Sequence, residues 1–262
     1  MATIKTATLE MNHREDGPAN APAIIFSNSL GADLSMWQEQ VDHFKNDYRI
    51  VRYDHRGHGG TAVPSGPYNF EDLSMDVVAL MDALGIERAH FAGLSMGGMT
   101  ALGLAIDHPD RLLSVTSCNC VAGYGPEGLK VWDERIAAIS ANGLEPLIET
   151  TISRWFTQPT IDSRADEMTA IRAMIRATPV EGYLACCGAL KKLNYLDRLS
   201  TITTPTLFIA GTHDLGAPAT AMQDMHERVS GSCYVELDAA HVSNIERPTE
   251  FNHALGDFLR SV

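Results

Sequence analysis

The chain alternates between short apolar runs and longer amphipathic stretches over most of its length. Runs such as Ala23–Phe26, Ala89–Ala92 and Thr206–Ala210 are typical of strands buried on both faces of a parallel sheet. Residues 70–84 instead repeat apolar side chains every three or four positions, which predicts a helix that ends at Gly85. Strands that alternate with helices predict an α/β fold with a mostly parallel sheet covered on both faces.

Further strands complete this predicted sheet. They are expected at Tyr48–Tyr53, near Leu113–Cys118 and at Cys233–Leu237. The first eleven residues alternate in the manner of edge strands, and a turn is expected at Arg14–Pro18. A final helix is expected at residues 251–259.

One long segment breaks the alternation. Glycines and a proline interrupt the pattern between residues 123 and 128, and residues 129–190 then read as successive helices without a clear strand. We therefore expect a core formed by residues 1–122 and 197–262, with a helical lid, residues 123–196, inserted between the sixth and seventh strands.

Composition narrows the function classes. The net charge of −13, without a basic tract, argues against nucleic-acid binding. Five cysteines, an odd number without a disulfide framework, indicate reduced thiols and a cytoplasmic location. Cys118 and Cys120 are better explained by packing than by metal binding. No signal peptide and no membrane span are expected, because no apolar stretch is long enough.

The most informative motif is Gly93-Leu94-Ser95-Met96-Gly97, which has the form G-x-S-x-G. It lies between a predicted strand and a predicted helix. A serine on such a sharp turn adopts a strained backbone conformation that presents its hydroxyl above the sheet, where it can act as a nucleophile. Ser95 is therefore the candidate nucleophile.

A serine nucleophile needs a base, normally a histidine, that accepts its proton. On a strand–serine–helix turn of this kind, the acid and then the histidine follow the serine in the chain. His241 directly follows the last predicted strand and is our candidate base. The other histidines beyond the predicted lid are His213, His226 and His253.

The base in turn needs an acid that orients it. Asp214 follows the strand at residues 206–210 and is the favoured candidate, because it approaches His241 from a neighbouring strand end. Asp238 is the alternative, three residues before His241 on the same loop.

Acyl transfer also needs N–H donors that stabilise the developing oxyanion. The residue after the nucleophile, Met96, is expected to supply one backbone N–H. The loop at residues 27–31 follows an earlier strand, and the backbone N–H of Leu30 is the expected second donor.

Several stretches resemble the α/β-hydrolase superfamily and, more narrowly, the 3-oxoadipate enol-lactonases of bacterial aromatic catabolism. The resemblance covers nearly the whole chain, and its most specific parts are the Ser-Asn-Ser-Leu-Gly loop and the run Ala-Ala-His-Val-Ser-Asn-Ile-Glu. The chain departs from the family at His55, where threonine is frequent, and at residues 191–195. The matching stretches are residues 27–37, 52–59, 93–98, 154–156, 211–214 and 236–246.

The resemblance implies an α/β-hydrolase fold and hydrolysis of a small, carboxylate-bearing enol-lactone to 3-oxoadipate through an acyl-enzyme. Neither a metal nor an organic cofactor is needed, and the expected partner is a small-molecule lactone or ester. A carboxylesterase, another lactonase, a thioesterase or a C–C bond hydrolase could use the same three residues. A receptor without catalytic activity is the alternative outside enzymes.

The predicted lid should determine the substrate, because the catalytic residues are common to all these activities. The candidate pocket walls are the aromatic residues Trp132, Trp155 and Phe156. A substrate carboxylate calls for a cation, and the candidates are Arg154, Lys191 and Arg135.

Overall fold

The computed structural model describes residues 2–262 and contains one eight-stranded sheet within that range. The strand order is β1-β2-β4-β3-β5-β6-β7-β8. Strand β2 runs antiparallel to both of its neighbours, and β3 to β8 are mutually parallel. The strands are β1 (Ala2–Lys5), β2 (Glu10–Asp16), β3 (Ala23–Ser27), β4 (Arg49–Tyr53), β5 (Ala89–Leu94), β6 (Leu112–Cys118), β7 (Thr206–Gly211) and β8 (Cys233–Leu237).

Helices connect the strands and cover both faces of the sheet, as the alternating pattern predicts. The helices outside the long insertion are α1 (Gln38–Phe44), α2 (Phe70–Ala83), α3 (Met96–Asp107), α9 (Ala219–Arg228), α10 (Ser243–Glu246) and α11 (Pro248–Ser261). Those within it are α4 (Pro126–Asn142), α5 (Ile148–Trp155), α6 (Gln158–Ser163), α7 (Ala165–Ala177) and α8 (Val180–Lys191). None of the helices in residues 2–262 has both the length and the apolar character that a bilayer crossing requires.

Strand β3 shows how one apolar run contributes to two cores. Ala23 and Ile25 pack into a cluster that includes residues of α2, α3 and α9, whereas Ile24 and Phe26 pack into a second cluster with α1 and α11. Successive side chains of a strand point to opposite faces, so a strand covered on both sides must be apolar throughout. All five residues of β3 are buried.

Helix α2 confirms the predicted helix at residues 70–84 almost residue for residue. Asn69 and Asp72 form a reciprocal capping box at its start, an arrangement worth about 1 kcal/mol. Leu73 and Val77 are completely buried on its inner face. Gly85 follows with a φ of +66°, a conformation that favours glycine and ends the helix.

The turn predicted at Arg14–Pro18 is wrong over its first three residues, which belong to β2. Pairing with β4 overrides the local turn preference, since Glu15 lies opposite Val51 and Asp16 opposite Ile50. The chain turns instead at Gly17, whose φ is +84° and where a Cβ would lie 2.2 Å from the Tyr48 carbonyl oxygen.

The five helices α4 to α8 lie between β6 and β7, and we refer to residues 123–196 as the cap segment. Its two ends meet where Gly123 bridges Asn194 and the Tyr195 N–H donates to the Ala122 carbonyl at 2.7 Å. Helix α8 packs directly on the loop after β4, because a Cβ on Gly182 would lie 2.1 Å from the Gly57 carbonyl oxygen.

Candidate active site

Ser95 occupies the sharp turn between β5 and α3. Its φ of 58° and ψ of −114° are unfavourable for a side chain with a Cβ, and the surrounding backbone holds the residue there. The Ser95 N–H donates to the Cys118 carbonyl at 2.8 Å. A Cβ on Gly93 would lie 2.1 Å from the Gly97 carbonyl oxygen, so only glycine allows this turn to close.

His241 and Asp214 meet at the carboxyl edge of the sheet, on the loops after β8 and β7. The His241 Nδ1 lies 2.7 Å from the Asp214 Oδ2, and the Asp214 side chain is completely buried. Ser95 lines the same pocket as these two residues. Within residues 2–262 the Ser95 hydroxyl makes no hydrogen bond to His241, a link that commonly tightens only when substrate binds.

Asp214 remains a carboxylate in spite of its burial. Burial alone raises the pKa of this group, but the neighbouring His241 and several hydrogen bonds outweigh it and hold the pKa below its usual value. Oδ1 accepts the backbone N–H groups of Gly216 and Ala217 at 2.8 and 3.0 Å. The charge is therefore available to orient an imidazole and to stabilise an imidazolium.

Asn119 is a site residue that sequence reasoning missed. It follows β6 directly and has a φ of 47°, which turns its side chain into the site. Its Nδ2 donates to the Asp214 Oδ2 at 3.1 Å and to the Ala240 carbonyl at 3.2 Å, and its Oδ1 accepts the Ser243 hydroxyl at 2.6 Å. Its position just past the end of a parallel strand was a usable signal.

The alternative acid and bases lie elsewhere. Asp238 is exposed and contacts His213 and Arg247 at the surface, at 2.8 and 3.4 Å. His226 stacks on Tyr234 with ring centroids 5.6 Å apart, and the exposed His253 lies on α11.

The two N–H groups expected to bind the oxyanion have no hydrogen-bond acceptor among the described residues, whereas the N–H groups beside them do. Neither the N–H of Leu30 nor that of Met96 makes a hydrogen bond within residues 2–262. Leu30 also lines the pocket with Ser95. The adjacent N–H groups are all engaged, with Met36 Sδ for Ser29, His58 Nε2 for Gly31, the Cys118 carbonyl for Ser95 and the Asn28 carbonyl for Gly97. Two unpaired donors are thus left beside the candidate nucleophile, as an oxyanion hole requires.

Two buried histidines support the loop that carries Leu30. Gly31 donates its N–H to the His58 Nε2 at 3.0 Å, so the His58 proton is on Nδ1, which faces the Arg56 carbonyl at 3.3 Å. His55 places its Nε2 3.1 Å from the Asn28 carbonyl. Burial lowers the pKa of His55 to about 3 and that of His58 to about 4, so both rings are neutral at physiological pH.

The cap segment supplies most of the remaining pocket wall. Trp132, Arg154 and Trp155 line the pocket, together with Arg135 and Tyr183. Phe156 does not line it and packs instead in the second hydrophobic cluster. Within residues 2–262 no group of three or more His, Cys, Asp or Glu side chains is arranged to hold a metal ion.

The candidate cations divide into two kinds. Arg135 lies over two aromatic rings, with its Cζ 5.7 Å from the centroid of Trp132 and 5.6 Å from that of Tyr183. Its buried Nε has no partner among the described residues, and neither Arg135 nor Arg154 forms an ion pair there. Lys191 is paired with Asp133 and does not line the pocket.

Comparison with known proteins places this geometry in a family. A model of the alpha/beta hydrolase fold matches residues 22–248. Two 3-oxoadipate enol-lactonases of Acinetobacter baylyi are similar, one 40% identical over 98% of this chain and 94% of its own length, the other 38% identical over 97% and 94%. The crystal structure of the enol-lactonase from Burkholderia xenovorans is 41% identical, with a TM-score of 0.95 over 99% of this chain and 100% of its own. The chain therefore belongs to the alpha/beta hydrolase fold family and is a relative of the 3-oxoadipate enol-lactonases.

Proposed function

We propose that the protein hydrolyses 3-oxoadipate enol-lactone, a small lactone that carries a carboxylate, to 3-oxoadipate in the catabolism of aromatic compounds. The single observation that carries this substrate class is the presence of two arginines without an ion-pair partner in the described residues of the pocket that holds Ser95. The relatives named enol-lactonases support the same reaction. The five free cysteines are in keeping with a cytoplasmic enzyme.

The chemistry follows from the three polar residues. His241 accepts the proton of Ser95 as the hydroxyl attacks the lactone carbonyl, and Asp214 stabilises the imidazolium that results. The ring opens as the enolate leaves, which gives an acyl-enzyme. Water, activated by the same imidazole, then hydrolyses that intermediate and returns Ser95 to its initial state.

The negative charge that develops on the carbonyl oxygen is stabilised by backbone donors. The unpaired N–H groups of Leu30 and Met96 are assigned this role, and each such donor lowers the barrier by about 3 kcal/mol in well-studied hydrolases. His55 and His58 keep the Leu30 loop in place while remaining uncharged.

The cap segment, residues 123–196, recognises the substrate in this proposal. Arg135 binds the carboxylate of the lactone, because its guanidinium lies over two aromatic rings in the pocket wall and has no ion-pair partner among the described residues. The exposed Arg154 contributes a second positive charge to the pocket lining, and Trp132 and Trp155 form the apolar walls.

The test compares an anionic lactone with a neutral ester. Hydrolysis of the lactone is followed by the loss of its ultraviolet absorbance, and hydrolysis of p-nitrophenyl acetate by the release of p-nitrophenol. Wild type should prefer the lactone by orders of magnitude in kcat/KM, and Ser95→Ala should abolish both reactions. Arg135→Met should lower kcat/KM for the lactone about 10- to 100-fold, the effect of losing a hydrogen bond to a charged group, and leave the neutral ester unaffected.

Lys191→Met is the matched control, because it removes a positive charge that lies outside the pocket. Its kinetics should equal those of wild type. A preference of wild type for the neutral ester would identify a general carboxylesterase instead. Absence of turnover with every ester and lactone would indicate a receptor.

A further inference from the structure

Glu246 is a buried carboxylate that the proposed reaction does not use. It ends the short helix α10, five residues after His241, and is 0% exposed. A buried charge is costly unless other groups compensate for it. No cation forms an ion pair with it within residues 2–262, so hydrogen bonds must stabilise the charge.

The donors to Glu246 come from two separate parts of the molecule. Oε1 accepts the N–H and the hydroxyl of Thr157 at 3.0 and 2.5 Å, and the hydroxyl of Thr160 at 2.6 Å, all from the cap segment. Oε2 accepts the N–H of Ala240 at 2.7 Å, from the residue directly before His241. Burial raises the pKa of Glu246, but these hydrogen bonds lower it by more. The pKa therefore lies below its usual value.

Further hydrogen bonds join the same two parts. The N–H of Val242, directly after His241, donates to the Trp155 carbonyl at 3.1 Å. Arg164 donates to the carbonyls of Ile245 and Glu246 at 2.8 and 3.1 Å. The N–H groups on both sides of His241 are thus held, one by Glu246 and the other by the backbone of a pocket-wall residue.

We propose that Glu246 is a positioning residue that couples the position of the cap segment on the core to the position of the His241 imidazole. Because one carboxylate accepts hydrogen bonds from the cap segment and from the loop of His241, a shift of the pocket wall at Trp155 also shifts the imidazole. This inference rests on the proposed function, since it assumes that His241 is the base.

The experiment replaces the carboxylate by its neutral isostere. In Glu246→Gln the amide keeps one acceptor oxygen, and its NH₂ group must face either the Ala240 N–H or the two threonines. We expect kcat to fall about 10- to 100-fold for the lactone and also for p-nitrophenyl acetate, because the small neutral ester needs the base but makes little use of the cap. Glu250→Gln, which neutralises an exposed carboxylate four residues later, is the matched control and should equal wild type.

The two substrates separate a positioning role from a structural one. A Glu246→Gln enzyme with wild-type kcat on both substrates would overturn the proposal. So would a variant that raises only KM for the lactone, since Glu246 would then shape the cap alone. If Glu246→Gln does not fold, as judged by circular dichroism, the double variant Thr157→Val/Thr160→Val removes two cap-side hydroxyl donors and keeps the charge. Its kcat on p-nitrophenyl acetate should fall several-fold, and an unchanged value would equally refute the coupling.

The same assay distinguishes failure of the two proposals. If wild type has no more activity than Ser95→Ala, the hydrolase function itself is wrong. If wild type is active and the Glu246 and threonine variants match it, the function stands and the role of Glu246 is wrong.

Discussion

Replacing Asp214 by asparagine tests the catalytic assignment most directly, and the hydrogen bonds around this residue predict the outcome. Oδ1 accepts two backbone N–H groups, and Oδ2 faces the His241 Nδ1 at 2.7 Å. An asparagine keeps both backbone hydrogen bonds only if its oxygen takes the Oδ1 position. Its NH₂ group then faces His241 and donates to Nδ1.

That orientation forces the wrong tautomer on the histidine. With Nδ1 accepting a hydrogen bond, the imidazole proton moves to Nε2, and the ring can no longer accept the Ser95 proton. The corresponding change in a serine protease lowers kcat by about 10⁴, or about 5 kcal/mol in barrier height. We expect a loss of this size for Asp214→Asn.

The assay measures kcat on the lactone and on p-nitrophenyl acetate at pH 7. Nitrogen-15 NMR of the His241 ring should show the proton on Nδ1 in wild type and on Nε2 in the variant. Asp238→Asn is the matched control, because this exposed acid lies on the neighbouring loop and should tolerate the change. An Asp214→Asn enzyme within tenfold of wild type, or an equal loss in Asp238→Asn, would refute the reasoning.

Three further predictions follow from the same region. Asn119→Ala should lower kcat about tenfold, because it removes one donor to the Asp214 carboxylate but leaves the charge. A loss as large as that of Asp214→Asn would contradict this prediction. The free energy of unfolding should fall as the pH drops from about 6.5 towards about 4, because His55 and His58 are held neutral in the fold while the unfolded chain binds protons there. Over this pH range each ring lowers the free energy of unfolding by on the order of 3 kcal/mol. Urea unfolding at several pH values in wild type and in His58→Gln measures this loss. An equally steep decline in the variant would count against the prediction. Gly93→Ala should abolish activity and strongly destabilise the fold, because its Cβ would lie 2.1 Å from a backbone oxygen. Thermal unfolding and the ester assay measure the two effects, and wild-type values in both would contradict the prediction.

The fold class and the two polar partners His241 and Asp214 could be anticipated because they depend on local patterns. Apolar runs mark strands that are buried on both faces, and the carboxyl ends of parallel strands share one edge. Residues distant in the chain but directly after such strands are therefore brought together. The mostly parallel α/β sheet predicted in this way is confirmed, and so is the α/β-hydrolase fold that the resemblance implied.

The contacts of the supporting residues could not be anticipated, because they depend on which buried polar groups face one another. Asn119 alone of these residues carried a signal, its position just past the end of a parallel strand. Asn119, His58 and Glu246 are all ordinary polar residues in the sequence. Their partners Asp214, Gly31 and Thr160 lie 95, 27 and 86 positions away, respectively. The same limit applies to the cations. Nothing in the sequence distinguishes Arg135, which lies over two aromatic rings, from Lys191, which forms a surface ion pair.

The contact between Gly57 and Gly182 has a consequence for how new specificities can arise on this scaffold. Two glycines of different parts touch backbone to backbone, so neither position can acquire a side chain without displacing α8. The loop that contains Gly57 also carries His58, which fixes the peptide next to Leu30. A relative's cap segment grafted onto this core must therefore have a glycine at position 182. Helix α4 has no such contact, so substitutions there can alter substrate preference with the smallest loss of stability.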